Sequence, residues 1–124
     1  MATIKSYTDL EQSKKLAEIL PTESADMVYI KHSTSSSPNW RFDDDIPPMI
    51  LGKTSIKDMT VEVLPCWSLV ALLSALPNGI VMNKDSQNGR YHFSSTYIGT
   101  SVTADNPVDA CYEMILKFNE LNLL

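Results

Sequence analysis

The stretch that decides the fold is the C-terminal one, which reads Asn106-Pro107-Val108-Asp109-Ala110-Cys111-Tyr112-Glu113-Met114-Ile115-Leu116-Lys117-Phe118-Asn119-Glu120-Leu121-Asn122-Leu123-Leu124. Asn106 is a favoured N-cap residue, and Pro107 takes the helical position at which a missing N–H costs nothing. Asp109 adds a negative charge in the first turn, where the helix dipole favours it. The pattern therefore predicts a helix that begins at Pro107.

This helix is apolar over well over half of its circumference when residues are placed at about 100° intervals. Its apolar positions are Val108, Cys111, Tyr112, Met114, Ile115, Leu116, Phe118 and Leu121. The polar positions form one narrow stripe of Asp109, Glu113, Lys117 and Glu120. A helix of this kind is covered on several sides, so we expect the rest of the chain to pack on it.

The length and the amino-acid composition of the chain are those of an ordinary globular domain. The chain has 124 residues, of which 44% are hydrophobic and 20% charged, and this predicts a single domain spanning residues 1–124. Ten basic against 15 acidic residues give a formal net charge of −5. Such a balance lacks the basic surface that attracts phosphate backbones, so we expect no direct nucleic-acid partner.

The two cysteines and the N-terminal sequence indicate in which cellular compartment the protein resides. Cys66 and Cys111 both fall in apolar helical patterns, which is typical of small buried thiols in a reducing environment, with a disulfide between two helices as the alternative. The N-terminus has no apolar signal region, and no apolar run approaches the roughly 20 residues that a bilayer requires. We expect a cytoplasmic protein that does not enter a membrane.

Two earlier helices are indicated. Thr8-Asp9-Leu10-Glu11 has the spacing of a capping box between Thr8 and Glu11, and it predicts a first helix of about twelve residues that Pro21 ends. Pro65 predicts the start of a second helix, whose residues 66–76 are almost wholly apolar and which Pro77-Asn78-Gly79 stops.

Strand patterns lie between these helices. Met27-Val28-Tyr29-Ile30 is β-branched and aromatic, and Met59-Thr60-Val61-Glu62-Val63-Leu64 alternates between apolar and polar residues. Residues 80–82 and 90–98 flank Asn88-Gly89, a hairpin-turn dipeptide, and Gly99 allows a bend afterwards. The chain therefore predicts an α+β domain with a mainly antiparallel sheet of about four strands, packed by three helices on one or both faces.

Residues 32–58 follow no periodic pattern and predict a long irregular loop. The segment contains a serine-rich string, the acidic run Asp43-Asp44-Asp45 and the pair Pro47-Pro48. Connections beyond about 12–15 residues are commonly functional, so we look for a binding site here first. The candidate binding residues are Trp40, Arg41, Phe42, Asp43, Asp44 and Asp45. The large side chains either hold the loop against the domain, which is favoured, or contact a partner.

The patterns for catalysis and metal binding are weak. Gly52-Lys53-Thr54 matches the end of a phosphate-binding loop, but Pro47 stands where that loop needs a glycine. The three aspartates lack the alternate spacing of a calcium loop and are more typical of a solvated charge run. Cys66 near a helix start, with His32 or His92 as base, is the nucleophile hypothesis, against a packed thiol as the ordinary interpretation. We expect no metal or cofactor.

Two stretches carry a resemblance. Pro65-Cys66-Trp67-Ser68-Leu69-Val70-Ala71-Leu72-Leu73 resembles the Trp-bearing helix of small phage and prophage proteins with the phage α/β/α-sandwich domain. Ala104-Asp105-Asn106-Pro107-Val108-Asp109-Ala110-Cys111-Tyr112-Glu113-Met114-Ile115 resembles their terminal helix. The resemblance implies a sheet sandwiched by helices and an origin in phage or integrated bacterial elements. It implies no activity and no site residues, and residues 32–58 have no counterpart in it.

The leading hypothesis is a small non-enzymatic accessory protein that binds a host or phage protein through residues 32–52 and the adjacent sheet edge. The alternative is a small-molecule or nucleotide-handling protein, such as a hydrolase that uses Cys66 or the aspartates; it requires a concave pocket beside them. A third hypothesis is a homo-oligomer that associates through an exposed strand or helix.

Overall fold

The computed structural model describes residues 5–32, 40–43, 52–56, 59–96 and 98–124. Within these ranges the chain forms three α-helices, a short 3₁₀ turn and seven strands. The helices are α1 (Leu10–Ala17), α2 (Leu69–Ala75) and α3 (Pro107–Glu120), and the 3₁₀ turn is Thr22–Ser24. The strands are β1 (Met27–His32), β2 (Arg41–Asp43), β3 (Gly52–Ile56), β4 (Met59–Cys66), β5 (Ile80–Lys84), β6 (Tyr91–Ser95) and β7 (Ser101–Ala104).

The strands belong to two antiparallel sheets. The first has the order β2-β1-β4-β3 and the second the order β5-β6-β7. The predicted α+β class with three helices and antiparallel pairing is confirmed. The structure differs from the prediction in that the strands divide between two sheets instead of forming one. Short strands such as β2 and β7 leave little periodic pattern in the sequence, so the sequence does not predict them.

Helix α3 lies at the centre of the main core. Its buried side chains are Val108, Ala110, Cys111, Met114, Ile115 and Phe118. They join a cluster that also contains Leu16, Trp67, Leu72 and Phe93, and α3 packs against α2, β6 and β7. Asn106 caps the helix by accepting a hydrogen bond from the backbone N–H of Asp109 at 2.8 Å. The predicted start of this helix is confirmed, and so is the burial of its apolar face except at Leu121, which is exposed.

Helix α3 ends in a tight turn. Asn122 adopts a left-handed backbone with φ 56°, and the N–H of Leu123 donates to the carbonyl of Phe118 at 2.9 Å. This is the hydrogen-bond pattern of a Schellman cap, which satisfies carbonyls that the helix leaves free.

The predicted capping box of α1 is displaced by one residue. Asp9 is the N-cap, and it exchanges hydrogen bonds with Gln12 instead of Thr8 with Glu11. Thr8 is fully buried and its hydroxyl is used in contacts away from the helix start, so the next capping residue takes its place. The helix has 8 residues rather than about twelve.

The predicted helix start at Pro65 is wrong. Strand β4 continues through Pro65 to Cys66, and α2 begins after Ser68, whose side chain accepts from the N–H of Ala71. Among the described residues, β3 pairs with β4 only as far as Val63, and Pro65 pairs with β1 alone. A proline is tolerated in a strand where its missing N–H faces no partner.

The prediction of an irregular loop over residues 32–58 is also wrong in part. The segment contains β2, which pairs with β1, and β3, which pairs with β4. Residues 33–39, 44–51 and 57–58 lie outside the described residues. The remaining strand predictions are confirmed as β1, β4 and the β5–β6 hairpin, although β6 is shorter than residues 90–98.

Candidate functional site

The candidate binding residue Trp40 lies directly before β2 and is half-buried. The ammonium nitrogen of Lys31 lies 5.6 Å from the centroid of its ring, which is within cation–π distance. Lys31 also lies opposite Glu62 across the β1–β4 pair, with their charged atoms 3.7 Å apart. One face of the indole is therefore covered by the Lys31 ammonium group, which Glu62 pairs on the sheet.

Arg41 is the first residue of β2 and is exposed to solvent. It pairs with Ile30, and β2 is the outermost strand of the four-stranded sheet. Among the described residues no further strand pairs with the outer edge of β2. A guanidinium group beside an open strand edge can contact both the backbone and the side chains of an added chain.

Phe42 holds β2 in place. Its ring stacks on Tyr7 with centroids 4.2 Å apart and an interplanar angle of 8°. Tyr29 approaches both rings edge-on, at 6.2 Å from Phe42 and 6.4 Å from Tyr7. The two roles predicted for this tripeptide are therefore divided, since Phe42 packs on the domain while Arg41 remains exposed.

The aspartate run is only partly described. Asp43 ends β2 and its backbone pairs with Val28, whereas Asp44 and Asp45 lie outside the described residues. In the part of the chain that the structure describes, no group of three or more metal-binding side chains occurs.

Cys66 lies in a polar pocket inside the domain. The thiol is fully buried, 3.6 Å from the hydroxyl of Thr8, and that hydroxyl lies 2.8 Å from the hydroxyl of Ser13. Burial raises the pKa of Cys66, and the hydrogen bonds from Thr8 and Ser13 do not offset it. The phenol of Tyr29 donates to the carbonyl of Thr8 at 2.8 Å, and burial raises its pKa as well. These groups are neutral and enclosed, as structural polar groups are.

The catalytic cysteine hypothesis also needs a base and a helix start. Cys66 ends strand β4 instead of beginning a helix, so the predicted helix start is not formed at this residue. His32 lies at the other end of the β1–β4 pair, opposite Val61, whereas Cys66 lies opposite Met27. His92 belongs to the other sheet, where its Nδ1 lies 3.1 Å from the hydroxyl of Thr103. Neither histidine is placed to activate Cys66.

The phosphate-binding pattern Gly52-Lys53-Thr54 lies in β3 and pairs with residues 61–63 of β4. A P-loop needs these residues in a loop that leads into a helix, so its geometry is not formed here.

The sequence patterns did not indicate a cleft between α1, β7 and α3. It measures about 530 Å³ and is lined in part by Gln12, Arg90, Asp105, Asp109 and Glu113. Asp109 accepts hydrogen bonds from Lys5 at 2.7 Å, from Gln12 at 2.8 Å and from Asn106 at 2.8 Å. Burial acts to raise the pKa of Asp109, but these three donors outweigh it and lower the pKa below its ordinary value.

No protein family, curated protein or solved structure was found that matches the chain. Within the described residues, none of the helices has both the length and the apolar character that crossing a membrane would require.

Proposed function

We propose that this chain is a small non-enzymatic accessory protein that binds another protein through the β2 edge surface. We define this surface as Trp40, Arg41 and the outer edge of β2, with Lys31 and Glu62 behind the indole. The bound segment of the partner extends along β2 and adds its backbone to the four-stranded sheet.

The observation that carries the proposal is that Phe42 packs on the domain while Arg41, its neighbour in β2, is exposed. Phe42 is stacked between the sheet and Tyr7, so the strand is held in a fixed position. Arg41 at the start of this strand is exposed, and Trp40 directly before it is half-buried. Tryptophan and arginine are the residue types that most often carry binding energy at protein interfaces. A rigid strand that presents both has a low ordering cost on binding.

The edge itself supports an extended partner. Edge strands carry backbone N–H and C=O groups without partners, and many recognition domains bind peptides by adding a strand there. Lys31 and Glu62 supply one charge of each sign beside Trp40. These charges favour a partner segment with mixed charges over a uniformly basic or acidic one.

The proposed origin in phage or integrated bacterial elements rests on the sequence resemblance alone. It concerns residues 65–73 and 104–115, which cover the end of β4, most of α2, the last residue of β7 and the first nine residues of α3. The proposed partner is accordingly a host or phage protein.

Photo-crosslinking tests the proposal. The photoreactive residue p-benzoylphenylalanine is placed at position 41, and in a matched control at position 120, which is exposed at the far end of α3. Both proteins are irradiated in a bacterial lysate. We expect a discrete cross-linked product from position 41 only, and its loss when Trp40→Ala is added. Equal products from both positions, or a product insensitive to Trp40→Ala in a protein that remains folded, would refute the proposal.

A further inference from the structure

The second sheet also has an open edge, and a cleft runs beside it. Strand β7 is the last strand in the order β5-β6-β7. The cleft between this edge, α1 and α3 is lined in part by Gln12, Arg90, Thr103, Asp105, Asp109 and Glu113. This surface belongs to a different sheet from Trp40, so it is independent of the function proposed above.

The outer edge of β7, beside this cleft, carries backbone hydrogen-bonding groups that do not bond to β6. The N–H of Ser95 donates to the carbonyl of Thr100 at 3.0 Å, and Phe93 pairs with Val102 two residues further along each strand. Hydrogen-bonded pairs alternate along an antiparallel ladder, so Val102 bonds to β6 while Ser101 and Thr103 direct their N–H and C=O groups outward. In the described part of the chain no residue hydrogen-bonds to these outward groups.

The far wall of the cleft is fixed in position. Asp109 on α3 binds Gln12 on α1 and Lys5 ahead of it, which ties the two helices together. Such a wall does not have to be ordered when a ligand enters, and this lowers the cost of binding.

The cleft is also acidic. Asp105, Asp109 and Glu113 line it, with Arg90 3.2 Å from Asp105 and Lys5 2.7 Å from Asp109, so the three carboxylates exceed these two cations by one charge. Glu113 has no ion pair within the described residues. Burial raises the pKa of Tyr112, and the carboxylates of Glu113, Asp9 and Glu11 raise it further. Of the cleft carboxylates that the structure describes, Glu113 is therefore the one that is free to pair with a cation of a ligand.

We propose that β7 binds an extended, basic segment of a second protein, which adds to the sheet as a further strand. Side chains alternate between the two faces of a strand. Val102 and Ala104 pack on the core beneath α3, so every second side chain of the added strand faces the acidic wall. The fitting sequence has lysine or arginine at alternate positions, with small polar residues between them.

The test uses a labelled eight-residue peptide of alternating lysine and threonine, with an alternating glutamate and threonine peptide as its charge control. Fluorescence anisotropy measures binding to the full chain at low salt, where charge complementarity is least screened. We expect saturable binding of the lysine peptide that weakens as salt is added, and at least about tenfold weaker binding of the glutamate peptide.

Two proline variants identify the edge. Thr103→Pro removes an outward N–H of β7, and we expect it to weaken binding by about tenfold or more. Met82→Pro is the matched control on the opposite edge, because the N–H of Asp85 donates inward to Arg90 at 2.8 Å and the alternation turns Met82 outward. Circular dichroism verifies that each variant is folded. If Thr103→Pro does not fold, Glu113→Gln replaces it as the test, and we expect this variant to bind the lysine peptide about two- to fivefold more weakly.

Three results would overturn the inference. They are equal binding to both folded proline variants, equal binding of the two peptides, and no binding of the lysine peptide at about 1 mM. A lysine peptide that suppressed the cross-link from position 41 would instead place its site at β2, which would overturn this inference and leave the first proposal standing.

Discussion

The hydroxyl oxygen of Thr8 accepts a hydrogen bond from the backbone N–H of Trp67 at 3.2 Å, and the N–H of Thr8 donates to the carbonyl of Trp67 at 2.9 Å. These two bonds join the segment before α1 to the segment before α2. Because Trp67 is fully buried and its indole N–H donates to Ser24 at 2.9 Å, Thr8 helps to position the largest side chain of the core.

Replacing Thr8 by valine tests this connection. The substitution keeps the shape but leaves the N–H of Trp67 and the hydroxyl of Ser13 without their partner, so we expect a loss of about 2–4 kcal/mol in the free energy of unfolding. Thr8→Ser, which keeps the hydroxyl and loses a methyl group, should cost about 1 kcal/mol. Urea unfolding measures both, and equal losses would show that the hydroxyl does not matter.

The stack of Phe42 on Tyr7 predicts an energetic coupling between β2 and the segment before α1. Aromatic pairs contribute about 0.5–1.5 kcal/mol beyond the area they bury. We expect Tyr7→Ala and Phe42→Ala to be less costly together than the sum of their separate effects, by about that amount. A double-mutant cycle on the free energy of unfolding measures the coupling. Additive losses would mean that the rings do not hold β2 in place.

The three donors around Asp109 predict a stability that depends on pH. The pKa of Asp109 is lowered in the folded state, so the unfolded chain binds the proton more tightly. The contribution is therefore fully present above the ordinary pKa, about 3.9, and is lost as pH falls through the lowered value. We expect Asp109→Asn to lower the free energy of unfolding by about 1–2 kcal/mol at neutral pH and by progressively less below about pH 4.

Thermal unfolding of both proteins from neutral pH to acid measures this difference. Glu120→Gln on the exposed end of α3 is the control for removing one carboxylate. If the difference between Asp109→Asn and the native sequence were constant with pH, the ionised form of Asp109 would not be the one that the network stabilises.

The two cysteines should be unreactive while the chain is folded. Both are fully buried, and burial raises the pKa of Cys111 to about 12. Since the thiolate is the reactive species, we expect labelling by a thiol reagent near pH 8 to follow the unfolding curve in urea. Val70→Cys, at a position that is 71% exposed, is the control that should react at once. Rapid labelling of the native thiols would contradict their enclosure.

The sequence predicted features that local chemistry determines. Asn106, Pro107 and the apolar positions of α3 act within one helix, so the start and burial of that helix could be inferred without the rest of the fold. The capping box of α1 could not be inferred in this way. Thr8 and Asp9 are both favoured N-cap residues, and only the contact of Thr8 with Trp67 decides between them. The predicted helix start at Pro65 is wrong for a similar reason, since the place of a proline in β4 depends on its pairing with other strands.

The site was predicted only in part. Trp40, Arg41 and Phe42 stood out as large side chains in a polar segment, but the separate role of Phe42 depends on Tyr7, which lies far away in the sequence. Lys31 follows Tyr29 by two residues in the predicted strand, so the sequence does place these two side chains on the same face of the sheet. The acidic cleft is assembled from α1, β7 and α3, and no local pattern in the sequence indicates it.

The most direct test of the central claim uses the two tryptophans. Trp40 is half-buried at the β2 edge surface, whereas Trp67 is fully buried in the core, so nuclear magnetic resonance of the ¹⁵N-labelled protein should show two distinct indole N–H signals. The partner cross-linked at position 41 is titrated into this sample, and Trp40→Ala assigns the signals. We predict that the Trp40 signal shifts or broadens in proportion to bound partner while the Trp67 signal stays in place. An unchanged Trp40 signal at saturation would contradict binding through this surface.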